Sequence, residues 1–303
     1  MKTSRLFFSM PADNWQTPAE RELKWGIVKR FERLGYVAEV FTDPRGNADS
    51  VAGGQSWSRE ACEAVMRRCD GCVLLGMRRW QVAAGGPHEA MPSEYNHYEG
   101  AVAQMLRLPL VSWVQQGVAP RVVFDRQVAG FMGEIPATPS PQWFKTRHFT
   151  VPFGYFRDRL DERRDVFLGY CSSASPVAKA LKDYLTRSLD LTVLDWAVDF
   201  DPARSIQQEI ERAARLCGAG VFLFTRDDKL AKPGAKVRAV PRDNVVYEAG
   251  YFAASKGKGR TLIVLQQGAK LPADLGGDIY AELPAGTNIA AVRPVLRKFA
   301  EAL

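Results

Sequence analysis

Short apolar runs alternate with longer amphipathic stretches along this chain, and turns of small or polar residues separate them. In the second half, Asp165–Tyr170, Leu191–Leu194, Ala219–Phe224 and Leu262–Leu265 predict strands. Ala219–Phe224 (AGVFLF) is apolar at almost every position, as expected of a strand covered on both faces. Between these runs, Ser175–Ser188, Ala203–Leu216 and Asn244–Ala254 predict helices, and the first carries Val177, Leu181, Tyr184 and Leu185 on one face. Alternation of this kind predicts an α/β fold with a doubly wound parallel sheet. Ligands of such sheets sit beyond the carboxyl ends of the strands, so the loops there are where function is sought.

The pattern occurs twice. Leu6–Met10 (LFFSM) matches Val166–Tyr170 (VFLGY), and Arg67–Gly76 (RRCDGCVLLG) matches Arg215–Leu223 (RLCGAGVFL), with Cys69 and Cys217 offset by 148 residues. Pro92–Gly100 (PSEYNHYEG) parallels Pro241–Gly250 (PRDNVVYEAG), which sets Glu99 and Glu248 at an offset of 149. Pro109–Gly117 (PLVSWVQQG) matches Thr261–Gly268 (TLIVLQQG), with the QQG triplets 151 apart. Two copies of one domain follow, 1–150 and 164–303. Each has the order strand, helix, strand, helix, strand, helix, strand. Residues 151–163 serve as a linker that includes a short helix carrying Phe156 and Leu160.

Composition narrows the function classes. The 303 residues carry a formal charge of +7, with 18 basic and 15 acidic side chains in 1–150 and 23 and 19 in 151–303. No tail or basic block stands out, which argues against a dedicated nucleic-acid surface. No apolar run approaches the ~18–20 residues of a membrane span. Leu6–Met10 reads as a buried strand and not as a secretory signal, so a cytoplasmic protein is expected. The five cysteines are expected to be reduced and buried. Cys69 and Cys72 lack the second pair that zinc needs, and the three histidines are not at ligand spacing, so no metal is expected.

Four loops and helix starts carry the candidate chemistry. Ser172 and Ser173 leave a strand toward a helix, where hydroxyls and backbone N–H groups suit phosphate, or where Ser175 simply caps the helix ahead of Pro176. Trp196 and Phe200 in DWAVDFDP either stack on an aromatic ligand or cover the end of the core. Asp227 and Asp228 bind ribose hydroxyls, hold a neighbouring loop, or form a solvated turn. In PRDNVVYEAGYFAA, Asp243 or Asn244 is placed to cap a helix, and Glu248 lies one turn in among apolar neighbours. A carboxylate buried there is costly unless partnered or functional, so Glu248 is the strongest candidate.

On these residues the second copy resembles TIR-like domains of the CAP12 type, found in bacterial anti-phage systems and related to TIR NAD glycohydrolases. The pieces are VFLGYCSS, the Trp196…Phe200 loop, FLFTRDD, RDNVVYEAGYF, and GKGRTLIVL followed by PADLGG. The resemblance implies a flavodoxin-like fold and places the catalytic glutamate on Glu248. It sets Asp243 and Asn244 on the family's D-N pair, Asp227 and Asp228 on its D-D pair, and Trp196 and Phe200 on its aromatic loop. The first copy looks like a more distant member of the group, which includes nucleoside deoxyribosyltransferases. It keeps Glu99, but Glu94 and Tyr95 replace the D-N pair, and its third strand ends in MRRW, with Trp80 where no D-D pair stands. Glu99 and Trp80 are thus a possible second site, or the remnant of one in a sensing or assembly domain.

The activity so implied is cleavage of the nicotinamide–ribose bond, with NAD+ as substrate and no cofactor. Glu248 would stabilise an oxocarbenium-like transition state, the aromatic residues would stack, and Ser172 or Ser173 would contact phosphate or ribose. The alternatives are an ADP-ribosyl cyclase or transferase making a signal nucleotide, or a non-catalytic sensing or assembly module. The resemblance further implies a homo-oligomer or filament on activation, with a nucleotide or partner protein as activator.

Overall fold

The computed structural model describes residues 4–41, 43–82, 90–129, 131–230, 238–272 and 279–303. The chain divides into two compact units between Glu162 and Arg163. The N-terminal unit has strands β1 (Arg5–Ser9), β2 (Val37–Glu39), β3 (Gly71–Gly76), β4 (Leu110–Gln115) and β5 (Met132–Ile135). Its principal helices are α1 (Pro18–Glu32), α2 (Arg59–Met66), α3 (Glu94–Met105) and α4 (Arg147–Asp161). The C-terminal unit has β6 (Arg164–Tyr170), β7 (Val193–Asp195), β8 (Cys217–Phe224), β9 (Thr261–Gln266) and β10 (Ile279–Leu283). Helices α5 (Ser175–Arg187), α6 (Ile206–Leu216), α7 (Asp243–Lys256) and α8 (Arg293–Glu301) complete it.

Both main sheets are five-stranded and parallel throughout. Their orders are β2-β1-β3-β4-β5 and β7-β6-β8-β9-β10, which is one topology, the flavodoxin-like 2-1-3-4-5, in both units. Register follows from apolar alternation. Val221 of β8 pairs with Leu168 on one side and Leu262 on the other, and all three belong to the core shared with Leu181 of α5 and Phe299 of α8. The intervening Phe167, Phe222 and Phe224 point to the other face, where α6 and α7 contribute Ala213, Val245, Ala249 and Phe252. The first sheet divides likewise: Leu6, Phe8, Val73 and Leu75 face α1 and α4, while Phe7, Cys72 and Leu74 face α2 and α3.

Four strands per unit were expected, and the structure has five in each main sheet. The added edge strands, β5 and β10, are short, and one flank of β10 lies outside the described residues. The 151–163 stretch expected as a linker is largely occupied by α4. Phe149, Phe156 and Leu160 of that helix are buried in the first core, and the helix follows the fifth strand of its sheet as α8 does in the second unit. Pro152 lies inside α4 and cannot donate to the His148 carbonyl; the Trp113 indole N–H takes that carbonyl at 3.1 Å. All five cysteines are buried and none forms a disulfide among the described residues, and burial pushes the Cys62 and Cys217 thiols up to about 12. They act as small apolar side chains. Among the described residues, no helix is long and apolar enough to cross a membrane, and no group of histidine, cysteine and acidic residues is arranged to hold a metal ion.

Candidate active site

Glu248 is the sixth residue of α7, on the helix face that also carries the buried Val245, Ala249 and Phe252. It is 7% exposed, and its carboxylate has no hydrogen-bond partner among the described residues. Beside it runs β6 at Gly169, where an added Cβ would sit 2.6 Å from Glu248 Oε2 and 2.6 Å from the Phe222 ring. Only glycine leaves space for the acid at that point. Burial without compensation raises the Glu248 carboxyl from its ordinary value to about 8.

This carboxylate faces a cavity of about 570 Å³ at the carboxyl end of the sheet, lined in part by Tyr170, Ser172, Trp196, Phe200, Arg204 and Asn244. Three buried side-chain atoms lacking hydrogen-bond partners belong to its lining: Glu248 Oε2, Glu209 Oε1 and Trp196 Nε1. Glu248 Oε2 and Trp196 Nε1 are an acceptor and a donor without partners among the described residues, and Glu209 Oε1 lies 3.6 Å from Arg204 Nε. In the N-terminal unit, a groove of about 670 Å³ along α1, lined by Arg21, Lys29 and Arg33, includes none of these unpartnered atoms.

The aromatic wall is built by aspartates. Trp196 opens a single helical turn, Trp196–Asp199, whose N-cap Asp195 accepts from the Ala197 N–H at 3.2 Å. The Asp195 N–H in turn donates to Asp199 Oδ2 at 2.7 Å. Asp195 is itself fixed by the Tyr170 hydroxyl at 2.9 Å and Lys182 Nζ at 3.0 Å, and burial, together with the bond to Asp195, pushes the Tyr170 phenol well above its usual range. Phe200 closes the turn and stacks on Phe167 at 5.8 Å between ring centroids, so it both lines the cavity and covers the core.

The other predicted residues separate. Asp227 does not line the cavity. It accepts from Ser173 Oγ at 2.9 Å, from Thr225 Oγ1 at 2.8 Å and from the Arg242 N–H at 3.3 Å, so it ties together the exits of β6 and β8 and the entry to α7. Of the readings open for the acidic pair, Asp227 takes the one that holds a neighbouring loop. Asp228 pairs with Arg242 at 3.4 Å in a small hairpin of Asp228–Leu230 and Arg238–Val240. Ser173 is engaged by Asp227, whereas Ser172 reaches the cavity lining. Neither Asp243 nor Asn244 caps α7: the N-cap is Arg242 without a side-chain bond, and its N–H is anchored on Asp227 instead. Asn244 lines the cavity, and Asp243 is exposed outside its lining.

Glu99 occupies the same sixth position in α3. Its surroundings differ. The Trp57 indole donates to Glu99 Oε1 at 2.9 Å, and the Ser9 hydroxyl also bonds the carboxyl, so burial lifts it only to about 7. Ser9 stands where the repeat places Gly169, and it also receives the Asn96 amide at 2.6 Å. Trp80 is not joined to Glu99: it is 47% exposed and its indole donates to Glu94 at 3.0 Å. The residues missed by sequence reasoning are Tyr170, Arg204 and Glu209. Glu209 sits in the first turn of α6 behind a Ser205–Gln208 capping box, where an acid looks like ordinary helix-dipole chemistry.

Residues 165–285 match the CAP12/Pycsar effector protein TIR domain. The matched stretch contains β6 to β10 without the C-terminal end of the unit, and every residue assigned to the cavity lies within it. Similarity to individual proteins is partial. An uncharacterized protein YuaY of Escherichia coli K12 is 36% identical over 27% of this chain and 28% of its own length. A CD-NTase-associated protein 12 of Lachnospiraceae bacterium RUG226 is 30% identical over 37% of this chain and 35% of its own. The Pycsar effector protein PaPycTIR of Pseudomonas aeruginosa is 27% identical over 52% of this chain and 53% of its own. The chain thus spans between about a quarter and a half of these relatives. The TIR-like region includes the PADLGG segment, which from Ala273 onward lies outside the described residues.

Proposed function

We propose that the TIR-like unit cleaves the nicotinamide–ribose bond of NAD+ and acts as an effector of anti-phage defence. The observation that carries this reading is a buried carboxylate, Glu248, unpartnered among the described residues and set against a cavity with Trp196 and Phe200 on its wall. The family match to a TIR domain of effector proteins supports it.

In this reading the C1′–N bond breaks with its electron pair going to the nicotinamide nitrogen, which becomes neutral, so no general acid is needed. Positive charge develops on the ribose ring, and Glu248 stabilises it while accepting from ribose hydroxyls. Water then bonds to C1′ and releases a proton, giving ADP-ribose. The acid is protonated near neutrality in the free protein, and the cationic substrate draws it toward the ionised form. Trp196 supplies a ring face and a free N–H, and Ser172 and Asn244 supply polar contacts at the rim.

The test is incubation of the full chain with NAD+, with products resolved by chromatography and mass spectrometry. Nicotinamide with ADP-ribose supports the hydrolase, and a cyclised product moves the reading to a cyclase at the same site. Equal turnover by Glu248→Gln removes the carboxylate from catalysis.

A further inference from the structure

The cavity needs a cation if its ligand carries phosphate, and the serine reading from sequence supplies only one hydroxyl there, because Ser173 is bound to Asp227. Among the described residues, two cationic side chains line the cavity, Arg204 and Arg242. Arg242 is drawn to Asp228 in the hairpin. The Arg204 guanidinium is 48% exposed and lies between Asp201 at 3.4 Å and Glu209 Oε1 at 3.6 Å. Glu209 is 1% exposed, and its Oε1 has no hydrogen bond. Its other oxygen holds Arg212 Nε at 3.0 Å, and Arg212 Nη2 donates to the Asp199 carbonyl at 2.6 Å, the last residue of the turn that presents Trp196.

One buried carboxylate thus lies beside a half-exposed guanidinium and holds the arginine that bonds the aromatic loop. A solvated arginine would need no such floor. Burying an acid here is costly, and two arginines offset that cost. A guanidinium fixed at a cavity rim is pre-organised for bidentate bonds to phosphate oxygens. We propose that Arg204 is the phosphate-binding cation of this cavity and that Glu209 positions it. The ligand class is a ribose joined to a phosphate or pyrophosphate. This rests on the NAD+ reading of the same cavity.

The test compares equilibrium binding of NAD+ and nicotinamide riboside, which shares the reacting end but lacks phosphate, in a Glu248→Gln background that leaves the ligand intact. Arg204→Ala is expected to weaken NAD+ by about tenfold or more and to leave nicotinamide riboside within about twofold. Arg204→Lys should retain part of the NAD+ affinity, because it keeps the charge and loses the fork. Glu209→Gln should lower NAD+ affinity selectively, by a smaller factor. If Arg204→Ala leaves NAD+ unchanged, or weakens both ligands alike, the assignment of Arg204 is overturned. If Glu209→Gln weakens both ligands alike, Glu209 is only a scaffold. If neither the wild-type chain nor the Glu248→Gln background binds either ligand, the NAD+ reading itself fails and the inference with it.

Discussion

At the residue scale, two glutamates at the same helix position carry different solvation. Glu99 is buried with hydrogen bonds from Trp57 and Ser9, whereas Glu248 is buried with none among the described residues, beside Gly169. The difference sets a pH dependence. The Glu248 carboxyl titrates near 8 in the folded chain and near 4.5 when exposed, so its effect on stability is absent below 4.5 and unfavourable above. Folding therefore loses stability as pH rises toward 8, and Glu248→Gln should raise stability by about 2–4 kcal/mol at pH 8 and by almost nothing at pH 4.5 in denaturant titrations. Activity should run the other way. With an ionised Glu248 required, kcat/KM rises with pH to a plateau above about 8, and the kcat profile inflects at lower pH because bound cationic substrate favours the carboxylate. Gly169→Ala would drive a methyl group into Glu248 Oε2 and the Phe222 ring, so turnover should fall about tenfold or more and stability by about 1–3 kcal/mol. Unchanged kinetics in that variant would contradict the packing described around the acid.

At the element scale, the fold of the second unit was legible because its buried strands are continuous apolar runs and its helices carry amphipathic signals, whereas the cap it does use on α6 was not read from the sequence. Ser205 and Gln208 close a full capping box on α6. Ser205→Ala should cost about 1 kcal/mol in chemical denaturation, and Ser205→Asn should recover most of it. The fifth strands were not legible, because Met132–Ile135 and Ile279–Leu283 carry Glu134 and Glu282 and so show no continuous apolar run. Helix α4 showed its apolar spacing at Phe156 and Leu160, yet its place between the two repeats made it read as a connector. In the candidate site, Glu248, Trp196, Phe200, Ser172 and Asn244 were legible as loop and helix-start chemistry, and the structure gathers them into one cavity. Asp227 lies at the exit of β8, and its hydrogen bonds go to neighbouring loops instead of the cavity. Arg204 and Glu209 escaped because pairing between a loop arginine and a buried acid depends on tertiary contact, which no local spacing encodes.

At the scale of the whole molecule, one topology appears in both units with two different sites. The carboxyl end of the second main sheet opens a cavity onto an unpartnered acid. In the first unit, Ser9 and Trp57 satisfy the acid at the matching helix position. Activity is therefore expected from the TIR-like unit alone. Glu99→Gln should leave NAD+ turnover within about twofold of wild type, since an amide oxygen at that position still accepts from Trp57.

The most direct measurement is nicotinamide release from NAD+ by the full chain, by Glu248→Gln and by Glu99→Gln, run side by side at pH 8. The account predicts release by the parent and by Glu99→Gln, with loss of at least about a hundredfold in Glu248→Gln. Release that survives Glu248→Gln, or that disappears with Glu99→Gln while the protein stays folded, would contradict it.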